Sequence, residues 1–164
     1  MHSLGSQHFE TTYKILWYLK ETPTKGLIFR KRGHLHIEAY TNVDCAGSVT
    51  DRRSTSGYCT FVGGNLVTWR SKKQNVVARS SAETEFRAVA HGICEVMWIK
   101  RLLLDLRVST SLPTRVYCDN KVAISIVHNP VLHDRTKHVE VDKHFIKKKI
   151  DNGVICMSYI PTVD

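Results

Sequence analysis

"HLHIEAYTNVDCAG", residues 34–47, is the stretch on which the fold reading turns. Side chains along a strand alternate between two faces. Ile37, Ala39, Thr41 and Val43 therefore share one face, and Glu38, Tyr40, Asn42 and Asp44 share the other. The strand looks built for a core, yet it ends in two polar groups on one side. In open α/β sheets, reactive groups gather at the carboxyl ends of strands. Asn42 and Asp44 thus mark one edge of a candidate site.

Working outward, "GLIFRK" (26–31) and "LHIEAYTNVD" (35–44) alternate like two strands. "YCTFVGGNLVTW" (58–69) reads as a hairpin turning at Gly63-Gly64-Asn65. Residues 8–20 have the spacing of a short amphipathic helix, with Tyr13, Leu16 and Trp17 near one another. The strongest helical pattern covers 81–106. Ser80 and Glu83 suit a capping box at its start, and Phe86, Val89, Ile93, Val96/Met97 and Leu103/Leu104 form its apolar stripe. "TRVYCDN" (114–120) is a short strand and 121–129 a helix stopped by Pro130. Residues 139–150 form a helix ended by Asn152-Gly153, and 154–160 a last strand. Early strands followed by strands alternating with helices predict an α/β domain with a mixed sheet. Trp17, Trp69 and Trp98 lie in apolar patterns that suit a core, and the histidines show no metal-ligand spacing.

The chain has 164 residues, enough for one domain with a single core, and an ordinary globular composition. No apolar run has the length of a membrane span, and residues 1–30 lack a secretory signal pattern. Five cysteines, at 45, 59, 94, 118 and 156, stand singly, which suits free thiols in a reducing compartment rather than a disulfide frame. The net charge of +9 suits a polyanionic partner, nucleic acid before membrane.

The acids sharpen the site. Asp44 and Asp119 each end an apolar strand. Within the long helix, Glu83 pairs four residues on with Arg87, an arrangement expected at the surface. Glu85 shares its face with Val89, Gly92 and Val96 and so leans toward the sheet. Glu85, Asp119 and an acid from 42–44 would make an all-oxygen site suited to Mg²⁺ or Mn²⁺. Two such ions can activate water and stabilise a leaving oxygen in phosphodiester cleavage. The plainer alternative is a set of solvated strand-end and helix-start acids.

Four motifs in order carry a resemblance: "YTNVDCAGSVTDRRSTSGYCTFVGGNLVTWRSKKQ", "SSAETEFRAVA", "VYCDNKVAI" and "NPVLHDRTKHVEVDKHFI". Together they resemble the ribonuclease H domain of copia-type LTR retrotransposon Pol polyproteins. The segment from residue 8 to residue 29 resembles the stretch joining reverse transcriptase to that domain. The resemblance implies a ribonuclease H-like fold, with a five-stranded mixed sheet and helices packed on it. It implies residues 1–33 as the end of the reverse transcriptase connection with a first strand, and 34–164 as the ribonuclease H-like domain, cut short at its C-terminus. The activity implied is hydrolysis of the RNA strand of RNA–DNA hybrids during reverse transcription, with two Mg²⁺ or Mn²⁺ ions. The implied setting is a cytoplasmic virus-like particle. The implied partners are the hybrid and the polyprotein's own reverse transcriptase, with no membrane and no small-molecule substrate.

Position by position, the resemblance puts Asp44, Glu85 and Asp119 at catalytic and metal-binding places. Asn42 stands where the family's leading Asp ligand usually is, and Cys45 where a Trp often follows. A fourth acid is expected beyond Asp164. Asn brings no charge to a Mg²⁺ site, so cleavage should be weak and Asn42→Asp should raise it. Asp44 lies on the same face about 7 Å further along, and would substitute only if the backbone bends.

Phosphate contacts are expected from Arg52, Arg53, Arg70, Lys72, Lys73 and Arg79, and the resemblance implies that Arg135, Lys137 and His138 of the "RTKH" stretch lie near the hybrid, with no role assigned to them. Asn120, beside Asp119 in the third motif, joins them by the resemblance. A hybrid would be read by groove shape and 2′-hydroxyls rather than base sequence. Lys147 to Lys149 suit a solvated helix face instead. The competing functions are a non-catalytic nucleic-acid-binding module that keeps the fold, and a scaffold that tethers the polymerase.

Overall fold

A computed structural model describes residues 5–23, 25–47, 50–78, 80–110, 113–128 and 137–161. Five strands form one sheet: β1 (Ile37–Asp44), β2 (Thr55–Val62), β3 (Asn65–Lys73), β4 (Thr114–Cys118) and β5 (Ile155–Tyr159). Their order is β3-β2-β1-β4-β5. β1 runs antiparallel to β2 and parallel to β4, and β4 runs parallel to β5. The mixed sheet is the α/β architecture the pattern predicts. The hairpin joining β2 and β3 turns on two residues, since Val62 pairs with Asn65. Gly63 and Gly64 both take positive φ, 58° and 70°, the geometry such a two-residue turn demands.

Among the described residues there are four helices: α1 (Ser6–Glu21), α2 (Ser81–Asp105), α3 (Lys121–His128) and α4 (Lys137–Asp151). α2 lies across β1, β2 and β4, and packs against α3 and α4. The core sits between this helical layer and the sheet. Phe86, Val89, Ile93 and Val96 of α2 meet Ile37, Ala39 and Val116 there, with Ile146 and Ile155 closing the far side. Burying each such side chain stabilises the fold by about 1.5–3 kcal/mol. Ser80 caps α2 by accepting from the Glu83 amide at 3.2 Å. Gly153, at φ 65°, ends α4, and the Gly153 and Val154 amides take up its last carbonyls.

Several expectations are corrected. Residues 26–31 form no strand: the Arg30 backbone N–H and C=O are both taken by the Asn65 side chain, at 2.8 and 2.9 Å, and Leu27, Ile28 and Phe29 are exposed. Trp17, Trp69 and Trp98 are more than half exposed rather than core. Trp17 lies on α1, whose described residues are all exposed, Trp69 on the edge strand, and Trp98 off the buried stripe of α2. Leu104 is exposed as well. Among the described residues no helix is long and apolar enough to cross a membrane.

Candidate metal and nucleic-acid site

β1 and β4 are parallel neighbours, so their carboxyl ends meet at one edge of the sheet. Asp119 follows β4 directly, and Glu85 reaches the same point from the second turn of α2. Ligand atoms of Glu85, Cys118 and Asp119 all lie within 4.8 Å of one another. Glu85 is only 4% exposed, and its Oε2 accepts from the Cys118 thiol at 3.8 Å. Burial, and then the charge of Asp119, push the Glu85 carboxyl up to about 7, while the thiol contact pulls slightly the other way. Cys118 is itself fully buried; burial pushes its thiol up to about 11, against the pull of the Asn120 amide donating to Sγ at 3.4 Å. An opening lined by Glu85, Asp119, Asn120, Lys121 and Tyr159 leads to this pair of carboxylates.

The 42–44 segment does not join the cluster. β1 keeps an unbroken register with β2 through Asp44, which pairs with Thr55, so the backbone bend that would bring Asp44 inward is not there. Thr41 faces α2, and Asn42 and Asp44 therefore point to the other side. The Asp44 carboxylate folds over Gly47, where a Cβ would lie 1.9 Å from its Oδ2. Asn42 is exposed and its Oδ1 accepts from its neighbour's amide, Val43 N, at 2.7 Å. Asn42 does line a depression together with Asp119, Tyr40, Gly57 and Arg70, so it remains beside the second carboxylate if not beside Glu85.

The cationic side of the site lies at the same end of the sheet. β3 runs parallel to β1, so Lys72 and Lys73 come out where β1 ends. A groove of about 320 Å³ is lined by Tyr58, Arg70, Lys72, Lys73, Gln74, Arg87 and His91 among others. Gln74 is buried; its amide donates to Thr84 O at 3.4 Å and its Oε1 accepts from Arg87 Nη1 at 3.1 Å. The second guanidinium nitrogen of Arg87 donates to Glu83 at 3.2 Å. The Glu83–Arg87 pair is thus part of a half-buried network, not a surface pair, with side chains 13% and 19% exposed. Burial first, then the charges of Arg70 and its cationic neighbours, hold the His91 imidazolium below its ordinary range.

The remaining expected contacts divide. Arg53 and Lys73 share Asp51, at 3.4 and 2.9 Å, which offsets part of their charge. Arg52 is exposed, with a positive φ of 54°. Asn120 Oδ1 accepts from Ala123 N at 2.9 Å, so that oxygen is committed to capping α3. Arg79 and Arg135 lie outside the described residues, as do the side chains of Lys137 and His138. Tyr58, Gln74, Arg87 and His91 are among the groove residues not expected as such. Arg87 and His91 sit one helical turn apart on α2, a spacing that could have flagged them, but only the approach of β3 shows that they face a groove.

Comparison with known proteins bears on the chain's relatives and fold. No family model matches the chain. It is 38% identical over 164 residues to the retrovirus-related Pol polyprotein from transposon RE1 of Arabidopsis thaliana, covering 100% of this chain and 11% of the polyprotein. It is 35% identical over 158 residues to the corresponding polyprotein from transposon TNT 1-94 of Nicotiana tabacum, covering 96% and 12%. The chain thus spans about a tenth of the relatives' length. Its fold is similar to that of LC11-RNase H1, solved in complex with an RNA/DNA hybrid. The TM-score is 0.56 at 12% identity, over 76% of this chain and 85% of that one. Over its whole length, then, the chain is related to one segment of retrovirus-related Pol polyproteins, and its own fold is ribonuclease H-like.

Proposed function

We propose that this chain is the ribonuclease H domain of a copia-type retroelement polyprotein, that it binds RNA–DNA hybrids, and that its hydrolysis of the RNA strand is weak. The observation that carries the reading is the placement of Glu85 and Asp119. Two carboxylates, one from α2 and one directly after β4, converge at the carboxyl ends of β1 and β4, and Asp119 shares a depression with Arg70, which also lines the groove of Lys72 and Arg87. That is an acidic centre flanked by phosphate-binding cations, the pairing a phosphodiester-cleaving site needs. The relatives are retroelement polyproteins, and a structural neighbour was solved with a hybrid. The reverse transcriptase of the same polyprotein would be the covalent neighbour.

The donor set does not fit a pair of Mg²⁺ ions. Mg²⁺ takes oxygen ligands in strict octahedral geometry. Here the third converging group is a thiol, Asp44 turns away, and Asn42 is uncharged. This favours little turnover, and gives weight to the second reading, a binding module that keeps the fold without the chemistry. What the chain's own residues supply is clear in either case. Arg87, fixed by Gln74 and Glu83, presents an oriented guanidinium, and Arg70 and Lys72 add cations on the same groove.

Hybrid affinity measured against salt tests the binding claim. The logarithm of affinity should fall linearly with the logarithm of salt, with a slope of several units, since each neutralised phosphate adds about 0.7–0.9. Affinity that is flat with salt would contradict it.

A further inference from the structure

We propose, on the hybrid-binding reading above, that His91 is a further ligand of the hybrid's phosphodiester backbone, and that its contact is made by the imidazolium with uptake of one proton from solvent. His91 lies on α2 one turn after Arg87 and lines the same groove. Residues four apart on a helix are neighbours on one face. The facing wall is β3, which brings Arg70 and Lys72. The Arg87 guanidinium is already fixed, by Gln74 Oε1 at 3.1 Å and Glu83 Oε1 at 3.2 Å. A phosphate held between these cations therefore meets the His91 ring on the same wall as Arg87.

The charges around His91 come from three elements. Among the described residues, β3 supplies Arg70 and Lys72, α2 supplies Arg87, and α4 supplies Asp142. Glu95, one turn beyond His91 on α2, has its Oε2 taken by the Tyr58 hydroxyl, which donates to it at 3.0 Å. Lys73 also lines the groove but shares Asp51, at 2.9 Å. Although His91 is exposed as a residue, partial burial of its ring and then the Arg70 charge disfavour the imidazolium; Asp142 favours it, and Arg87 and Lys72 add to the opposition.

A phosphodiester reverses this balance. Its anionic oxygens offset the cations of both walls, and an opposite charge nearby favours the charged form of an ionisable group. The imidazolium offers two N–H donors where the neutral ring offers one. The added proton comes from solvent, and no bond in the hybrid is made or broken. The empty groove is thus spared a fourth positive charge beside Arg70, Lys72 and Arg87, and that charge is supplied when phosphate is there to accept it.

The test is hybrid affinity of the full chain at fixed salt, from about pH 8.5 to about pH 5.5, for the native chain and for His91→Gln. Glu85, pushed up to about 7, titrates in the same window, so the ratio of the two affinities is read rather than either profile alone. That ratio should be close to unity at the high end and rise in favour of the native chain by at least about threefold at the low end, the effect of about half a pKa unit. The His91 ring-proton resonance, identified by its loss in His91→Gln, should titrate at higher pH in the complex than in the free chain. A ratio that stays level with pH, or a ring midpoint that the hybrid does not raise, would overturn the inference while salt-dependent binding stands. Native affinity that is flat with salt would overturn the hybrid-binding reading and this inference together, so the two failures are told apart.

Discussion

Glu85 shows how far one residue can be placed from sequence. Its spacing from Val89, Gly92 and Val96 put it on the inner face of a helix, and it is buried there. What the spacing could not give is its charge state, which depends on Asp119 arriving from another strand. The folded-state pKa, about 7, lies above the ordinary 4.5 of a free Glu. A raised carboxyl favours the protonated folded state. In metal-free protein its stabilising contribution is complete below about pH 4.5 and is lost as pH rises through about 7. Denaturant melts from pH 4 to 8 should therefore show a decline in the native chain that Glu85→Gln flattens. Equal slopes for the two chains would refute the assignment. Asp44 is the contrasting residue. The alternation of β1 gave its face correctly, but whether it reached Glu85 depended on a backbone bend, and bends have no period to read.

At the scale of elements, the sheet was legible because alternation and the Gly63-Gly64 turn are local signals. Residues 26–31 alternate equally well, yet form no strand, because the Asn65 side chain has taken the Arg30 backbone groups. The seat of α2 on β1 depends on Gly92, where a Cβ would lie 2.7 Å from Thr41 Cγ2. Thr41 is held in its rotamer by donating from Oγ1 to Tyr117 O at 3.1 Å. Ala is intrinsically better than Gly in a helix by about 1 kcal/mol, but overpacking a core costs about 1–3. Gly92→Ala should thus lower stability by about 1–2 kcal/mol in urea unfolding, despite the better helix propensity. Gln74→Ala should destabilise by about 1–3 kcal/mol, because it leaves the Thr84 carbonyl and Arg87 without their buried amide partner. It should weaken hybrid binding as well, through the loosened guanidinium.

For the whole molecule, the charge of +9 is spread unevenly, and the groove beside α2 collects Arg70, Lys72, Lys73 and Arg87. The sequence showed the basic run after the hairpin; that α2 supplies the opposite wall is a tertiary fact. Replacing Arg70 and Lys72 by Gln should reduce the salt slope of hybrid affinity by about 0.7–0.9 for each phosphate that is no longer neutralised. Substitution of Lys148, on the exposed side of α4, should leave it unchanged. α1 contributes little to the domain's own stability, since its described residues are all exposed. Removing residues 1–22 should change the unfolding free energy by less than about 0.5 kcal/mol.

The central claim is a domain that has kept the fold and the proposed hybrid-binding face, while an uncharged Asn42 beside Asp119, with Asp44 turned away, limits its chemistry. The most direct measurement is Mg²⁺-dependent cleavage of an RNA–DNA hybrid by the native chain and by Asn42→Asp, with hybrid affinity measured alongside. The account predicts tight binding by both, little cleavage by the native chain, and at least about a tenfold rise on restoring the carboxylate, the equivalent of about 1.4 kcal/mol in the barrier. Robust cleavage by the native chain, or an Asn42→Asp chain that binds the hybrid and cleaves no faster, would contradict it.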